Sequence, residues 1–420
     1  MRAGQRSTRD RIAATLGAMA ARPDRHDIAQ RLAAIDEVEV TVEKLVAGGD
    51  GFARHDGIPL FVPRSAPGDR ARVRVVERRP DYARAEIVEL LAPGPGRRQP
   101  PCPYFAECGG CQLQHLEDAV QVRYKAGALV ETLSRVGGVA APPSLEVVTG
   151  EAWGYRLRTQ LHTGRDTEGA VQVGYFARKS HTLVPVRACP ILAPPLEAEI
   201  PLLPERLGNE PPARLDLLVG DGGALSAAPV AGDLPHGEVQ LTVGDFVYRL
   251  DARCFFQAHR TLVGKLVQAA VGSWEGASAV DLYAGVGLFS MPLGRRYGSV
   301  TAVEGERVSA RYARANARHN KLPNVTVVPQ AVESWVLQLP TVDRVLVDPP
   351  RDGLAAAVRK ALLLRRPSRI TYVSCHAATL ARDLKELLAS YRLESLTLFD
   401  LFPQSGHMES VAQLALVDAG

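Results

Sequence analysis

A chain of 420 residues, 46% hydrophobic and 23% charged, is expected to fold as about two or three ordinary soluble domains with room for a large core. No apolar run reaches the roughly 18 residues of a membrane span, and the first residues lack the apolar stretch of an export signal, so a cytoplasmic protein with no membrane partner is expected. A formal net charge of only +4 does not announce a polyanionic partner, and six cysteines in a chain of this length argue against a disulfide framework.

Residues 1–35 are rich in Ala and Arg and read as a poorly ordered basic extension, since Asp10, Asp24 and Asp27 weaken any likeness to a transit peptide. Residues 36–92 read as a small β domain. EVEVTVEKLV alternates with the period of a strand, Gly48-Gly49-Asp50-Gly51 and Asp56-Gly57 supply turns, and APGDRARVRVVERR and DYARAEIVELL add further strands. Short strands between Gly and Asp turns predict a barrel of the oligonucleotide-binding type. Between Arg70 and Arg84 six arginines stand against two acids, Glu77 and Asp81, which in a strand-rich segment favours a phosphate-contacting face over a merely solvated one. The link APGPGRRQPPCP marks a boundary.

Residues 93–252 read as a mixed central domain with strand-like GYRLRTQLHTG, AVQVGYFARKSHTLVPV and GEVQLTVGDFVYRL; from Pro190 to Pro235 prolines and glycines are so frequent that no element is assigned. Residues 253–420 change character. SAVDLY, SVTAVEGE, VTVVP, DRVLVDPP, RITYVSC and SVAQLALV read as strands, most of them separated by helical stretches such as RVSARYARANARHN. That alternation predicts an α/β, doubly wound sheet, parallel in its main part.

Five cysteines carry a chemical reading. Cys102, Cys108 and Cys111 in CPYFAECGGCQLQ, with Cys189 in RACP, look like ligands of one metal centre. Structural zinc sites usually show two short Cys pairs, which this spacing lacks, and it also differs from bacterial ferredoxin spacing; spacing leans to iron–sulfur and leaves zinc open. Cys375 ends ITYVSC and precedes the helix HAATLARDLKELL, whose N-terminus favours a thiolate; a buried structural cysteine is the alternative.

A cofactor site is expected at the same sheet edge. The strand ending Asp281–Tyr283 enters the turn Ala284-Gly285-Val286-Gly287, and Glu304 lies 19 residues beyond Gly285, where an acid accepts from ribose hydroxyls. The glycines allow close backbone approach. The third glycine of a dinucleotide fingerprint is missing, which suits a nucleoside without a pyrophosphate, S-adenosylmethionine first; the alternative is a turn that binds nothing. Asp348 in DPPR closes a later strand at this edge, and Arg351 stands where methyltransferases acting on amino groups carry an aromatic residue. A thiol beside a methyl donor has a specific use. C5 of uracil is a poor nucleophile until a thiolate adds to C6, and a base must then remove the C5 proton. FPQSGHMESV offers His407 and Glu409; a carboxylate of ordinary pKa near 4.3 is a weak base, which partial burial would strengthen.

Together DLYAGVGLFS, AVEGE, DPPR, YVSCHAATLARDL and FPQSGHMES, with FFQAH at Phe255–His259, resemble the RNA uracil-C5 methyltransferase family from about residue 36 onward. The resemblance implies a C-terminal Rossmann-like class I methyltransferase domain, an N-terminal OB-like TRAM barrel that binds RNA, and a central domain carrying a [4Fe-4S] cluster on Cys102, Cys108, Cys111 and Cys189. It implies Cys375 as the nucleophile at C6, Glu409 as the base and Arg351 as a contact to the uridine or its enolate. Gln257, Tyr283, Glu304 and Asp348, with Gly285 and Gly287, would line the S-adenosylmethionine site. The substrate would be a uridine extruded from an RNA loop, in 23S rRNA, with tRNA as the alternative, acted on by a monomer. Two departures stand out: the family's usual Asn is replaced by Leu288 after the second glycine and by His376 after the catalytic cysteine. Leu288 also keeps open a non-catalytic RNA-binding scaffold with a decayed cofactor site, and an amino-group methyltransferase would leave Cys375 unexplained.

Overall fold

A computed structural model describes residues 35–139 and 145–417; the extension expected over residues 1–35 lies, but for its last residue, outside the described residues. The chain packs as two compact units, one holding the segment up to Leu45 with Asp50–Pro95, the other Val46–Gly49 with Gly96–Gly420. The central and C-terminal segments distinguished in the sequence thus fall in one packed unit. Among the described residues no helix is long and apolar enough to cross a membrane.

The smaller unit is a closed five-stranded barrel, β1 (Glu37–Leu45), β2 (Gly51–His55), β3 (Ile58–Val62), β4 (Arg70–Arg79) and β5 (Tyr82–Ala92), in the order β1-β2-β3-β5-β4. Period-two alternation sends Val40, Ile58, Leu60, Val62, Val73 and Ala85 inward. Asp56 and Gly57, both with positive φ, form the two-residue hairpin turn between β2 and β3. The outward arginines are not bare. The β1–β4 register places Glu37 and Glu39 opposite Arg74 and Arg72, and Arg70, Arg72, Arg74, Arg78, Arg79 and Arg84 each have a carboxylate partner, from Glu39, Glu89, Glu37, Asp36, Glu77 and Asp50 respectively. Counting acids only between residues 70 and 84 misses partners supplied across the strands. Such exposed pairs are weak and screened by salt.

In the larger unit β6 (Leu145–Val148) precedes a five-stranded sheet of β7 (Arg158–Arg165), β8 (Val171–Phe176), β9 (Leu183–Pro185), β10 (Arg214–Val219) and β11 (Leu225–Ala228), ordered β11-β10-β7-β8-β9, and a hairpin of β12 (Val239–Val243) and β13 (Phe246–Leu250). The Pro-rich stretch to which the sequence assigns no element holds two short helices, Pro194–Glu199 and Leu203–Leu207, with prolines in their first turns, where no helical N–H is lost.

The main sheet contains β14 (Gly276–Leu282), β15 (Tyr297–Val303), β16 (Val325–Val328), β17 (Arg344–Val347), β18 (Arg369–Ser374), β19 (Tyr391–Phe399) and β20 (Glu409–Leu416) in the order β16-β15-β14-β17-β18-β20-β19-β6. The first five are parallel, β20 runs antiparallel between β18 and β19, and β6, from the central segment, adds a parallel edge strand. Strands covered on both faces read as apolar runs, as Val345–Val347 of β17 do, and all four residues of β17, Arg344 included, are buried. Chain order reverses between β14 and β17, which opens the crevice where α/β sheets bind ligands.

The helix Asp118–Thr132 packs on this sheet and buries Lys125 completely. Its Nζ donates to Asp400 Oδ1 at 2.6 Å and to Phe402 O at 2.9 Å, just beyond β19. Removing one partner of a buried pair strands the other charge, at about 3–5 kcal/mol. Lys125→Met is therefore expected to lower unfolding free energy by about that much in urea titration, with much of the loss recovered when Asp400→Leu is added. A single-variant loss below about 1 kcal/mol would show that the pair does not hold the 400–408 loop.

Candidate active site at the carboxyl edge of the sheet

The parallel register aligns Leu282 with Val303 and Val347, so the next residues, Tyr283, Glu304 and Asp348, share one row at the carboxyl edge. Tyr283 has φ 63, Gly285 φ 55 and Gly287 φ 90. A non-glycine residue in the left-handed region is uncommon and is tolerated where the surroundings enforce it. Here Tyr283 OH donates to Glu333 Oε1 at 2.8 Å. The Glu304 carboxylate holds the turn by accepting from Gly285 N at 2.8 Å and Glu306 N at 2.7 Å. Leu288 is buried in the core and its carbonyl accepts from Tyr248 OH at 2.8 Å, so its side chain serves packing.

Behind the row the site is dry. Burial, and then the charge of Glu304, push Asp281 up to about 7, against a hydrogen bond from Ser290 Oγ. Burial and Asp281 push Asp348 up to about 7, opposed by a hydrogen bond with Gln257. Burial and Asp348 drive Glu409 well above the usual carboxylate range. Among the described residues, Gln257 Oε1, Asp281 Oδ1 and Glu409 Oε1 are buried acceptors without a partner, the chemistry of a site for a donor-rich ligand.

Cys375 follows β18 directly, and Glu409 opens β20. These strands pair antiparallel with Ser374 opposite Ser410, so one step further sets Cys375 opposite Glu409. Opposed residues in such a pair have Cα atoms roughly 4.5–5.5 Å apart and side chains on the same face. A cleft of about 400 Å³ opens over the thiol, with Arg351, His376, His407, Gln112 and Arg178 in its lining. Arg351 donates to His407 Nδ1 at 2.8 Å. Desolvation, then Arg351, Lys125 and other cations, push His407 down to about 4 and keep it a neutral acceptor. His376 occupies the N-cap of the helix Ala377–Leu387, its Nδ1 accepting from Thr379 N at 3.4 Å. The expected thiolate is not the resting state. Burial, then Glu409 and Asp348, push Cys375 up to about 11, and Arg351 and the residue's own backbone N–H offset only part of this.

The loop between β19 and β20 is pinned by Gln404, a buried residue at φ 69 that no motif argument singles out. Its carbonyl accepts from Gln112 N at 3.0 Å and Leu113 N at 2.9 Å, its N–H donates to Gln121 Oε1 at 2.9 Å, and its side chain bonds Gln121, Arg98 and Asp118. Gly406 N donates to Gln112 Oε1 at 3.2 Å. The only local sign of this hub is a Gln inside a Pro/Ser/Gly-rich turn.

Cys102, Cys108, Cys111 and Cys189 all line one cavity of about 320 Å³, together with Tyr155, Thr159 and Tyr175. Among the described residues no three His, Cys, Asp or Glu side chains cluster as a single-ion site. Gly109 packs on β8, its N–H donating to Phe176 O at 3.0 Å, which brings the first three cysteines to the sheet that precedes Cys189.

The sheet order, counted along the chain as 3-2-1-4-5-7-6 with the seventh strand antiparallel, and the glycine turn at its switch point define a class I methyltransferase. The profile of the tRNA (Uracil-5-)-methyltransferase family matches residues 233–416, and that of the TRAM domain residues 35–88. The 23S rRNA (uracil(1939)-C(5))-methyltransferase RlmD of Pectobacterium atrosepticum is 34% identical over 95% of this chain and 98% of that protein; its namesake in Cronobacter sakazakii is 35% identical over 91% and 97%. The crystal structure of Pyrococcus abyssi tRNA (uracil-54, C5)-methyltransferase in complex with S-adenosyl-L-homocysteine superposes with a TM-score of 0.71 at 25% identity, covering 90% of this chain and all of that one. The chain belongs to the RNA uracil-C5 methyltransferase family, which is S-adenosylmethionine-dependent.

Only the thiolate alkylates. With the thiol at about 11, iodoacetamide labelling of Cys375, followed by peptide mass spectrometry, should accelerate about tenfold per pH unit from pH 7 to 9. Arg351 lowers this pKa, so Arg351→Gln should raise it and slow labelling at each of these pH values. A rate independent of pH over that range would contradict the assignment.

Proposed function

We propose that this enzyme methylates C5 of a uridine in 23S rRNA, at the position corresponding to uracil 1939 in its relatives' names, through a covalent bond from Cys375 to C6. The observation that carries the reading is the β18–β20 register, which sets a cysteine and a buried carboxyl opposite one another beside the cofactor edge. Gln257, Tyr283, Glu304 and Asp348 would hold S-adenosylmethionine, with Gly285 and Gly287 letting the backbone approach it. Bound there, it supplies the electrophilic methyl group.

Cys375 gives up its thiol proton to solvent, the thiolate adds to C6, and the C5–C6 π pair moves onto C5 and O4 as an enolate. Arg351, already beside the cleft, offsets that charge. C5 takes the methyl group as the S–CH3 bond breaks, with a neutral thioether as the leaving group. Glu409 then accepts the C5 proton, the C5–C6 double bond re-forms, and the S–C6 bond breaks to release the thiolate. Burial suits Glu409 to this step because a raised pKa makes its ionised form a stronger base. Cys375→Ala should abolish methyl transfer from tritiated cofactor while RNA binding persists. Glu409→Gln should instead accumulate a denaturation-resistant protein–RNA adduct, because elimination stalls after methylation. A Glu409→Gln variant that turns over freely would remove Glu409 from the mechanism, and intact 5-methyluridine in 23S rRNA of cells lacking the gene would redirect the target to tRNA.

The same reading assigns a [4Fe-4S] cluster to Cys102, Cys108, Cys111 and Cys189. The support is an all-thiol donor set around one cavity, in which burial pushes Cys111 up to about 12 and Cys189 up to about 11. Four thiolates are held in such a place only against compensating positive charge, which iron provides. Gln112 and Leu113, which bind the Gln404 carbonyl, follow Cys111 immediately, so a cluster would brace the catalytic loop. Anaerobically purified protein should contain iron and acid-labile sulfide in equal amounts, and Cys189→Ser should lose both; zinc without sulfide would refute the cluster.

A further inference from the structure

We propose that the outer face of the helix Arg307–His319 is a second RNA-binding surface, taking phosphodiester groups of the substrate strand that flank the target uridine; this rests on RNA being the substrate. Arg307, Arg311, Arg314 and Arg318 recur at i, i+4, i+7 and i+11 and so form one stripe, and Lys321 extends it. All five are exposed, while Ala310, Ala313, Asn316 and Ala317 bury the opposite face. The helix contains no acid, and among the described residues none of these five cations has a carboxylate at ion-pair distance. The barrel arginines, each matched by an acid, are the opposite case. Like charges at i, i+4 weaken a helix, so the stripe carries a cost that the described chain does not offset and a polyanion does.

Arg314 NH2 is steadied by donating to Val327 O at 3.2 Å. Arg314, Arg318 and Lys321 line a cavity of about 410 Å³ floored by Leu322, Pro323 and Val325, wide enough for a sugar–phosphate. Position selects the occupant. The helix starts three residues after Glu304, at the sheet edge that carries Cys375, and β15 lies three strand spacings, ~14 Å, from β18. The stripe then runs ~17 Å along the helix axis, back from that edge toward the start of β16 at Val325. A strand whose target base enters the cleft brings phosphates several nucleotides along within that reach, whereas a vesicle surface or an acidic protein segment has no tie to the active-site edge.

The test is the triple variant Arg311→Gln/Arg314→Gln/Arg318→Gln in the full chain, with calorimetric S-adenosylmethionine binding as the control for folding. Filter binding of a 23S rRNA fragment containing the target, over a range of salt, should show affinity falling on the order of tenfold and the log–log salt slope shrinking by ~2. Methylation of a short oligonucleotide covering only the target loop should keep its kcat/KM. Wild-type affinity and slope in the variant would overturn the surface, and so would an equal loss on fragment and oligonucleotide. Retained fragment binding with lost binding to anionic vesicles or to assembled ribosomal particles would assign the stripe to lipid or protein and overturn it too. A wild-type enzyme that neither binds nor methylates the fragment would instead refute the proposed target.

Discussion

The antiparallel pairing of β18 with β20 is the constraint on which the chemistry depends. A slip of one residue would turn one set of side chains to the other face and separate the thiol from the carboxyl. A buried polar chain prevents it. Thr371 and Gln413 are register partners, and Thr371 Oγ1 donates to Gln413 Oε1 at 2.6 Å. Arg344, fully buried on β17, donates to Thr371 Oγ1 at 2.6 Å and to the carbonyls of Ala270 and Val271 at the end of the helix Val263–Val271, with its guanidinium 4.9 Å from the Trp274 ring. Gln413 Nε2 closes the circuit on Ala269 O at 2.6 Å. Any other register leaves several of these buried groups unpaired, each at a cost of roughly 1–3 kcal/mol. The polar interior specifies one alignment where an apolar one would tolerate several.

The second support is the loop that carries the strand into Glu409. Lys125 holds its start through Asp400, and Gln404 holds its middle through both main-chain and side-chain bonds. The partners come from the helix Asp118–Thr132 and from the segment after Cys111, both outside the catalytic sheet in sequence. Glu409 has a strand on each side, β18 with Cys375 just beyond its end and β19 with Phe399 opposite, and this loop sets how the chain enters between them. The central segment therefore shapes the active site directly, which accounts for its packing into the same compact unit as the sheet and for its loan of β6 to the sheet edge.

Much of this can be read from the sequence because the chemistry sits at strand ends. Tyr283, Glu304, Asp348 and Cys375 each close an apolar run, and a turn signal or a helix follows each one, so period and punctuation alone place them on one edge. What stays hidden is non-local. The bonds of Gln404 span 283 to 306 residues for its side-chain partners Gln121 and Arg98, and no window of sequence contains them. Five of the six acids that pair with the barrel arginines lie outside residues 70–84, where register and turns decide partnership. The position of β20 between β18 and β19 is equally invisible, since a strand–helix alternation says nothing about the last strand entering antiparallel. The elements between Pro190 and Pro235 escape a sequence reading because proline signals a break, whereas here it starts helices.

The thiol shows most clearly how position and environment differ. A helix start beside Cys375 argues for a thiolate, and the local geometry is as expected, yet the surroundings reverse the sign. Desolvation acts on the whole charge of a thiolate, whereas a helix terminus offers about half a unit charge, most of it within the first turn. Asp348 and Glu409 add repulsion once ionised. Burial thus raises both the Cys375 thiol and the Glu409 carboxyl, in a site where three carboxyls already crowd one another. The cationic side chains bordering the cleft, Arg351 foremost, are the elements that favour the thiolate, and an enolate forming on the bound base would place negative charge where Arg351 can meet it. In the proposed reaction, a thiol held up at about 11 in the open cleft is protected from solvent electrophiles and would spend its reactivity on the base that fills it.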